Sequence, residues 1–197
     1  MATFDLAPTT ELEAVNYMLL AIGSQPVSTL DSSVSEAYLA QMTLHQVSRE
    51  IQSEGLHCNF EQEYPLTFDA VTGKITVPSS ALRCDVTYPY YKSAVRGGFL
   101  YNLEDHTFVW TENVEVDLVT FLDYSDLPQH VRYYIYVRAM RKFQRNTVGS
   151  TELENFTARD ELEAKAAFMS GEALNEGGSM LNADGAWQIL RRRSIIL

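Results

Sequence analysis

Cysteine is nearly missing from this sequence: Cys58 and Cys84 are the only two. That is too few for a disulfide scaffold, so both are expected to be reduced, buried thiols. Long apolar runs are missing as well, and none approaches the roughly 20 residues of a membrane-spanning helix. The start, Met1-Ala2-Thr3-Phe4-Asp5, has no basic region ahead of an apolar core, so no secretory signal is expected. The histidines His45, His57, His106 and His130 do not fall at metal-ligand spacings. No Gly-x-Ser-x-Gly turn is present. Gly73-Lys74 lacks the glycine run and the following hydroxyl of a phosphate loop. No catalytic, metal or cofactor site is therefore expected. Asn155-Phe156-Thr157 matches a glycosylation acceptor, but it falls inside a predicted helix and is read as chance.

Charge of one sign is scarce in two places. From Met1 to Glu63 there are nine acidic side chains and one basic one, Arg49, a net −8 out of the chain's −11. That balance argues against simple nucleic-acid binding. From Leu127 to Ser150 the acids disappear, while Arg132, Arg138, Arg141, Lys142 and Arg145 crowd the stretch. Arg191, Arg192 and Arg193 make a second basic spot. An acidic front and a basic helix on one chain are complementary between neighbouring copies; the alternative is a solvated basic helix face. Arg138, Arg141 and Arg145, with Trp187 and Arg191 to Arg193, are the candidate interface residues.

Hydrophobic residues make up 46% of the chain, ordinary for a globular protein. Three helix starts carry a capping box: Thr10 with Glu13, Ser33 with Glu36, and Thr151 with Glu154. The first helix is predicted from Glu11 to Ile22, with Leu12, Val15, Leu19 and Ile22 as one stripe. Gly23 ends it and Pro26 prevents its resumption. The second runs from Val34 to Glu54 on a seam of Ala37, Ala40, Leu44, Val47 and Ile51. From Asn59 to Leu122 the period becomes two. Tyr64, Leu66 and Phe68 alternate, Ile75 and Val77 follow, and Arg83 to Tyr91 is extended with Pro89 marking an edge. Arg96-Gly97-Gly98-Phe99 is a hairpin turn. Val114, Val116 and Leu118 alternate with Glu115 and Asp117, as in a strand with one wet face. The pairs Glu61/Glu63 and Glu115/Asp117 would each share a strand face. A glycosidase needs two such carboxylates, but solvent-facing alternation accounts for them.

The third helix is predicted after Asp126-Leu127-Pro128, with Asp126 as cap and Pro128 in the first turn, ending near Arg145. Val131, Ile135, Ala139 and Phe143 face inward. The fourth runs from Glu152 to Met169 with Leu153, Phe156, Leu162 and Ala166 on its core side, and Gly171 marks its end. Asn175-Glu176-Gly177-Gly178-Ser179 is expected to hold regular structure poorly, ahead of an arm ending in apolar residues. The fold class is α+β: a four-helix bundle with an inserted small antiparallel β unit and an extended C-terminal arm. The segments are residues 1–58 (first helix pair), 59–124 (β lobe), 125–171 (second helix pair) and 172–197 (arm).

Several words of the sequence carry a resemblance. They are Glu11-Leu12-Glu13-Ala14-Val15-Asn16, Ile22-Gly23-Ser24-Gln25-Pro26-Val27-Ser28-Thr29-Leu30 and Ile51-Gln52-Ser53-Glu54-Gly55. Arg96-Gly97-Gly98-Phe99-Leu100-Tyr101, Asp123-Tyr124-Ser125-Asp126-Leu127-Pro128 and Arg132-Tyr133-Tyr134-Ile135 extend them. On these residues the chain resembles the tail tubular protein A, or head-to-tail adaptor, family of short-tailed phages. Leu56 departs from the pattern, since relatives tend to carry an aromatic after the glycine. The resemblance implies a ring of about twelve copies between the portal protein and the tail nozzle protein (tail tubular protein B), with closure by heterologous contacts. Genomic DNA would pass through it without sequence-specific binding. It implies a virion tail protein assembled in the host cytoplasm, with no cofactor and no small-molecule substrate. Because some tail components are hydrolytic, a glycoside hydrolase acting on host envelope polysaccharide is the alternative.

Overall fold

The computed structural model describes residues 9–30, 35–89, 91–149 and 151–175, with the side chains of Ser35 and of residues 151–156 outside the description. Among the described residues there are four α-helices and two small antiparallel sheets, a mixed α+β architecture. The helices are α1 (Glu11–Ala21), α2 (Ser35–Gln52), α3 (Gln129–Thr147) and α4 (Thr151–Asn175). The strands are β1 (Phe60–Leu66), β2 (Ala81–Tyr88), β3 (Ser93–Arg96), β4 (Phe99–Asn102) and β5 (Val114–Thr120).

α1 begins where its capping box predicts. The Glu13 N–H donates to Thr10 Oγ1 at 3.2 Å, and the Thr10 N–H donates to the Glu13 carboxylate at 2.8 Å. The Ser33 hydroxyl and the Thr151–Glu154 side chains lie outside the described residues; the Glu36 carboxylate accepts from the Ser24 hydroxyl at 2.6 Å. The α2 seam is buried at every predicted position, Ala37, Ala40, Leu44, Val47 and Ile51. With Ala14, Val15, Met18 and Leu19 of α1 and Val131, Ile135, Ala139 and Phe143 of α3 it forms one apolar core. Leu56 is buried in that core too, so an aliphatic side chain serves at the divergent position.

The strands surround a second core of Leu66, Ile75, Val77, Cys84, Leu100, Trp110, Val114, Val116 and Leu118. The larger sheet has the order β1-β5-β2, so Pro89 does follow an edge strand. β3 and β4 form the predicted hairpin, with Gly97 at φ +60° and Gly98 at +80°. Both turn positions need this left-handed backbone, which only glycine adopts cheaply. Desolvation raises the Cys84 thiol to about 11. Cys58 is raised by burial and then by the Glu172 charge, though it is only half-buried. Both thiols are thereby held protonated and unreactive.

A buried polar latch joins the two cores. Gln52, fully buried, donates to the Leu122 carbonyl at 3.0 Å and accepts from the Leu122 N–H at 2.8 Å. Asn59 donates to the Gln52 and Thr120 carbonyls at 3.0 and 2.8 Å and accepts from the Leu56 N–H at 2.7 Å. Gln52 also donates to the Ser48 hydroxyl at 2.9 Å, so both amides use both N–H donors and their oxygen, which holds the helices and the sheet in a fixed relation.

Several sequence expectations need correction. Asp126 does not cap α3: it sits in a 3-10 turn, Tyr124–Asp126, and Pro128 takes the cap position without a side-chain bond. Arg132 holds this approach instead. Its Nε donates to the Leu127 carbonyl at 2.6 Å, and its other nitrogens donate to the Ser125 and Thr9 carbonyls. Buried there, it is withdrawn from the basic face. The β5 face carrying Glu115 and Asp117 is not wet throughout, because Val119 on that side is buried near Gly55. Finally, Gly171 does not end α4. The helix passes through it to Asn175, and the missing side chain makes room for the His130 ring, whose Cδ2 lies 2.5 Å from where a Cβ would stand.

That close approach also sets which side of α4 faces inward. Thr157, Ala164 and Phe168 are buried, whereas Leu162 and Ala166, predicted inside, are exposed. Phe168 stacks on Tyr134 at 4.9 Å, and His130 pairs with Glu172 at 2.8 Å. Leu153 and Phe156 have side chains outside the described residues.

Candidate assembly surface

The basic residues of α3 line a cleft rather than a convex face. Arg138, Arg141 and Arg145 follow one another at steps of three and four residues, and Lys142 lies four after Arg138 and three before Arg145, spacings that put side chains on one side of a helix. α2 supplies Glu50 and α4 supplies Glu161 to the same cleft, which encloses about 240 Å³. Arg141 donates to Glu161 at 2.7 Å and Lys142 to Glu50 at 2.8 Å. Arg138 lies between the two carboxylates at 4.0 Å from each. Arg145 is exposed and makes no ion pair among the described residues. The hydrogen bond from Lys142 holds the Glu50 carboxyl below its ordinary range. Among the described residues, four cations of α3 therefore face the carboxylates of Glu50 and Glu161 in this cleft. The half-exposed pairs contribute about 0–1 kcal/mol each. With both carboxylates already engaged, the cleft is equipped to receive an anionic group.

The sequence located Arg138, Arg141 and Arg145 but not their partners. Glu50 and Glu161 stand 88 and 20 residues from Arg138 and Arg141, respectively, and only packing of α2 and α4 on α3 brings them in. Trp187, Arg191, Arg192 and Arg193 lie outside the described residues.

A second charged surface lies on the β lobe. On the outer face of the β1-β5-β2 sheet, Asp117 of β5 stands directly opposite Asp85 of β2. On its other side a bulge between Glu61 and Tyr64 turns the Glu63 N–H toward the Asp117 carboxylate at 3.5 Å. Glu115 stands two residues along the same strand face. Arg83 is the cation beside them, 3.5 Å from Asp85. Like charges placed opposite each other across a sheet destabilise it. The bulge breaks the simple alternation that would pair Glu61 with Glu63, and both are exposed. The signal available in the sequence was the run Glu61, Glu63, Asp85, Glu115 and Asp117, but the register joining them is tertiary. Leu39 and Met42 on α2 are also exposed, at 54% and 52%, and with Gln46 and Arg49 line an open groove.

A family model described as tail tubular protein matches residues 12–177. Tail tubular protein A of Klebsiella phage KP34 is 32% identical over 126 residues, which are 64% of this chain. The chain spans 66% of that relative's length, slightly under two thirds. The chain belongs to the tail tubular protein family.

Proposed function

We propose that this member of the tail tubular protein family is a non-enzymatic structural component of a phage tail, assembled in the host cytoplasm. It forms a ring of about twelve copies that joins the portal protein to the nozzle and lets DNA pass during ejection. The observation that carries the reading is the family match over residues 12–177, together with a charged cleft whose two carboxylates are each engaged by a cation of α3. The helices act as a four-helix bundle with the β lobe (59–124) inserted between the first pair (1–58) and the second, whose α4 runs on to Asn175.

In this reading Arg138, Arg141 and Arg145 meet acidic groups of a neighbour or of the portal. Trp187 and Arg191 to Arg193 add a further contact to the same partners. A net charge of −11 suits a channel wall, because a strongly basic wall would displace counterions and hold a sliding duplex. The test is tail attachment to portal-bearing heads. Reversing Arg141 and Arg145 together is expected to abolish most of it. Because Arg141 already pairs with Glu161, Arg145→Glu alone is the cleaner variant and is expected to weaken attachment with folding intact. Undiminished attachment by both variants would refute the role of the cleft.

A further inference from the structure

We infer that the anionic group received by the α3 cleft is the acidic outer face of the β1-β5-β2 sheet on a second copy of this chain. The inference rests on the ring reading and names the surface that meets the cleft.

Two independent features lead to it. First, the cleft has unused positive charge at defined places. Glu50 and Glu161 are engaged by Lys142 and Arg141 at 2.8 and 2.7 Å, whereas Arg138 stays 4.0 Å from both carboxylates and donates at 3.4 Å to the uncharged Tyr134 hydroxyl, and Arg145 is exposed. Second, the sheet keeps a juxtaposition that a free surface has no use for. Asp85 and Asp117 face each other across the ladder, with Glu63 and Glu115 close by and Arg83 as the cation beside them. A basic group laid over the middle of that row would relieve the repulsion on both sides of Asp117. Guanidinium groups fit this task because each offers a planar fork to a carboxylate.

The two surfaces also suit repetition around a ring. They lie on different elements, and among the described residues no ion pair joins them within one subunit. A contact between unlike surfaces leaves each copy with one of each kind free for the next. Such heterologous contacts propagate until the ring closes. Like-charged copies that carry −11 each repel at long range, so matched local patches would set the register and exclude other orientations.

Charge exchange tests the inference. Arg145→Glu and Asp85→Arg change exposed side chains, and circular dichroism with urea unfolding would verify that each variant folds. Self-association of the full chain, alone and on purified portal, would be measured by sedimentation at several salt concentrations. Each single variant is expected to weaken copy-to-copy association about tenfold, and the double variant, which swaps the charges, to restore it. Wild-type association is expected to fall as salt rises. Glu115→Lys provides a second probe on the sheet. Rings that form equally well in both single variants would overturn this inference and leave the ring reading standing. Weakening by both singles without restoration in the double would also overturn it, because the two patches would then serve different partners. Absence of any wild-type ring, with or without portal, would instead sink the ring reading itself.

Discussion

Gly171→Ala is a small change with a sign that depends on one neighbour. In a helix interior alanine is favoured over glycine by ~1 kcal/mol. Here the new Cβ would stand 2.5 Å from His130 Cδ2 and 2.6 Å from Cγ, so the ring or the helix must move. Moving the ring disturbs the 2.8 Å pairing with Glu172 and the packing beside Phe168. Overpacking of this kind costs about 1–3 kcal/mol, which matches or exceeds the propensity gain, and the net expected loss is roughly 0–2 kcal/mol. In a His130→Ala background the obstruction is gone. Gly171→Ala should then stabilise the protein by about 0.5–1 kcal/mol, giving a coupling of roughly 2 kcal/mol between the positions. Urea unfolding of the four proteins measures this, provided the slopes agree. An equal loss in both backgrounds would mean that Gly171 adopts a left-handed helix-ending conformation, and the account of α4 would be wrong.

Removing the latch should be severe: Asn59→Ala deletes three hydrogen bonds at a buried site and is expected to lower stability by about 3 kcal/mol in urea unfolding. The His45–Glu11 pair, 2.9 Å long, gives a pH signature. Its hydrogen bond raises the imidazole above 6.5 and lowers the carboxyl below 4.5. The His45 contribution is therefore full below pH 6.5 and lost as pH rises through its raised value. The Glu11 contribution is present above pH 4.5 and lost as pH falls through its lowered one. His45→Gln should cost ~0.5 kcal/mol between these limits, since the pair is half-exposed, and nothing in strongly alkaline solution; a pH-independent difference would contradict the pairing.

Local chemistry was legible in the sequence, and long-range pairing was not. The α1 capping box, the α2 seam and the Gly97-Gly98 hairpin are written within a few residues each, and the structure places all three where the pattern does. The inward face of α4 does not follow an apolar stripe, because it carries Thr157, Glu161, Ala164, Phe168 and Gly171. Two of these positions are filled by a partner from α3, Arg141 or the His130 ring, and not by an apolar side chain of α4 itself. Hydrophobic periodicity cannot detect such a face, and so the exposed Leu162 was assigned to the core. Arg132 shows the same limit in reverse. It reads as one more surface arginine, yet the carbonyls of Leu127, Ser125 and Thr9 draw it inside. The acid row on the sheet depends on strand register and on the bulge before Tyr64, neither of which local sequence specifies.

Imaging of tails and of portal complexes containing this chain, at a resolution that counts subunits and traces α3, tests the account most directly. It predicts a closed ring of about twelve copies around the channel, with each α3 cleft covered by the adjoining subunit. A tail junction without this chain, or a ring in which the Arg138–Arg145 cleft opens to solvent, would contradict it.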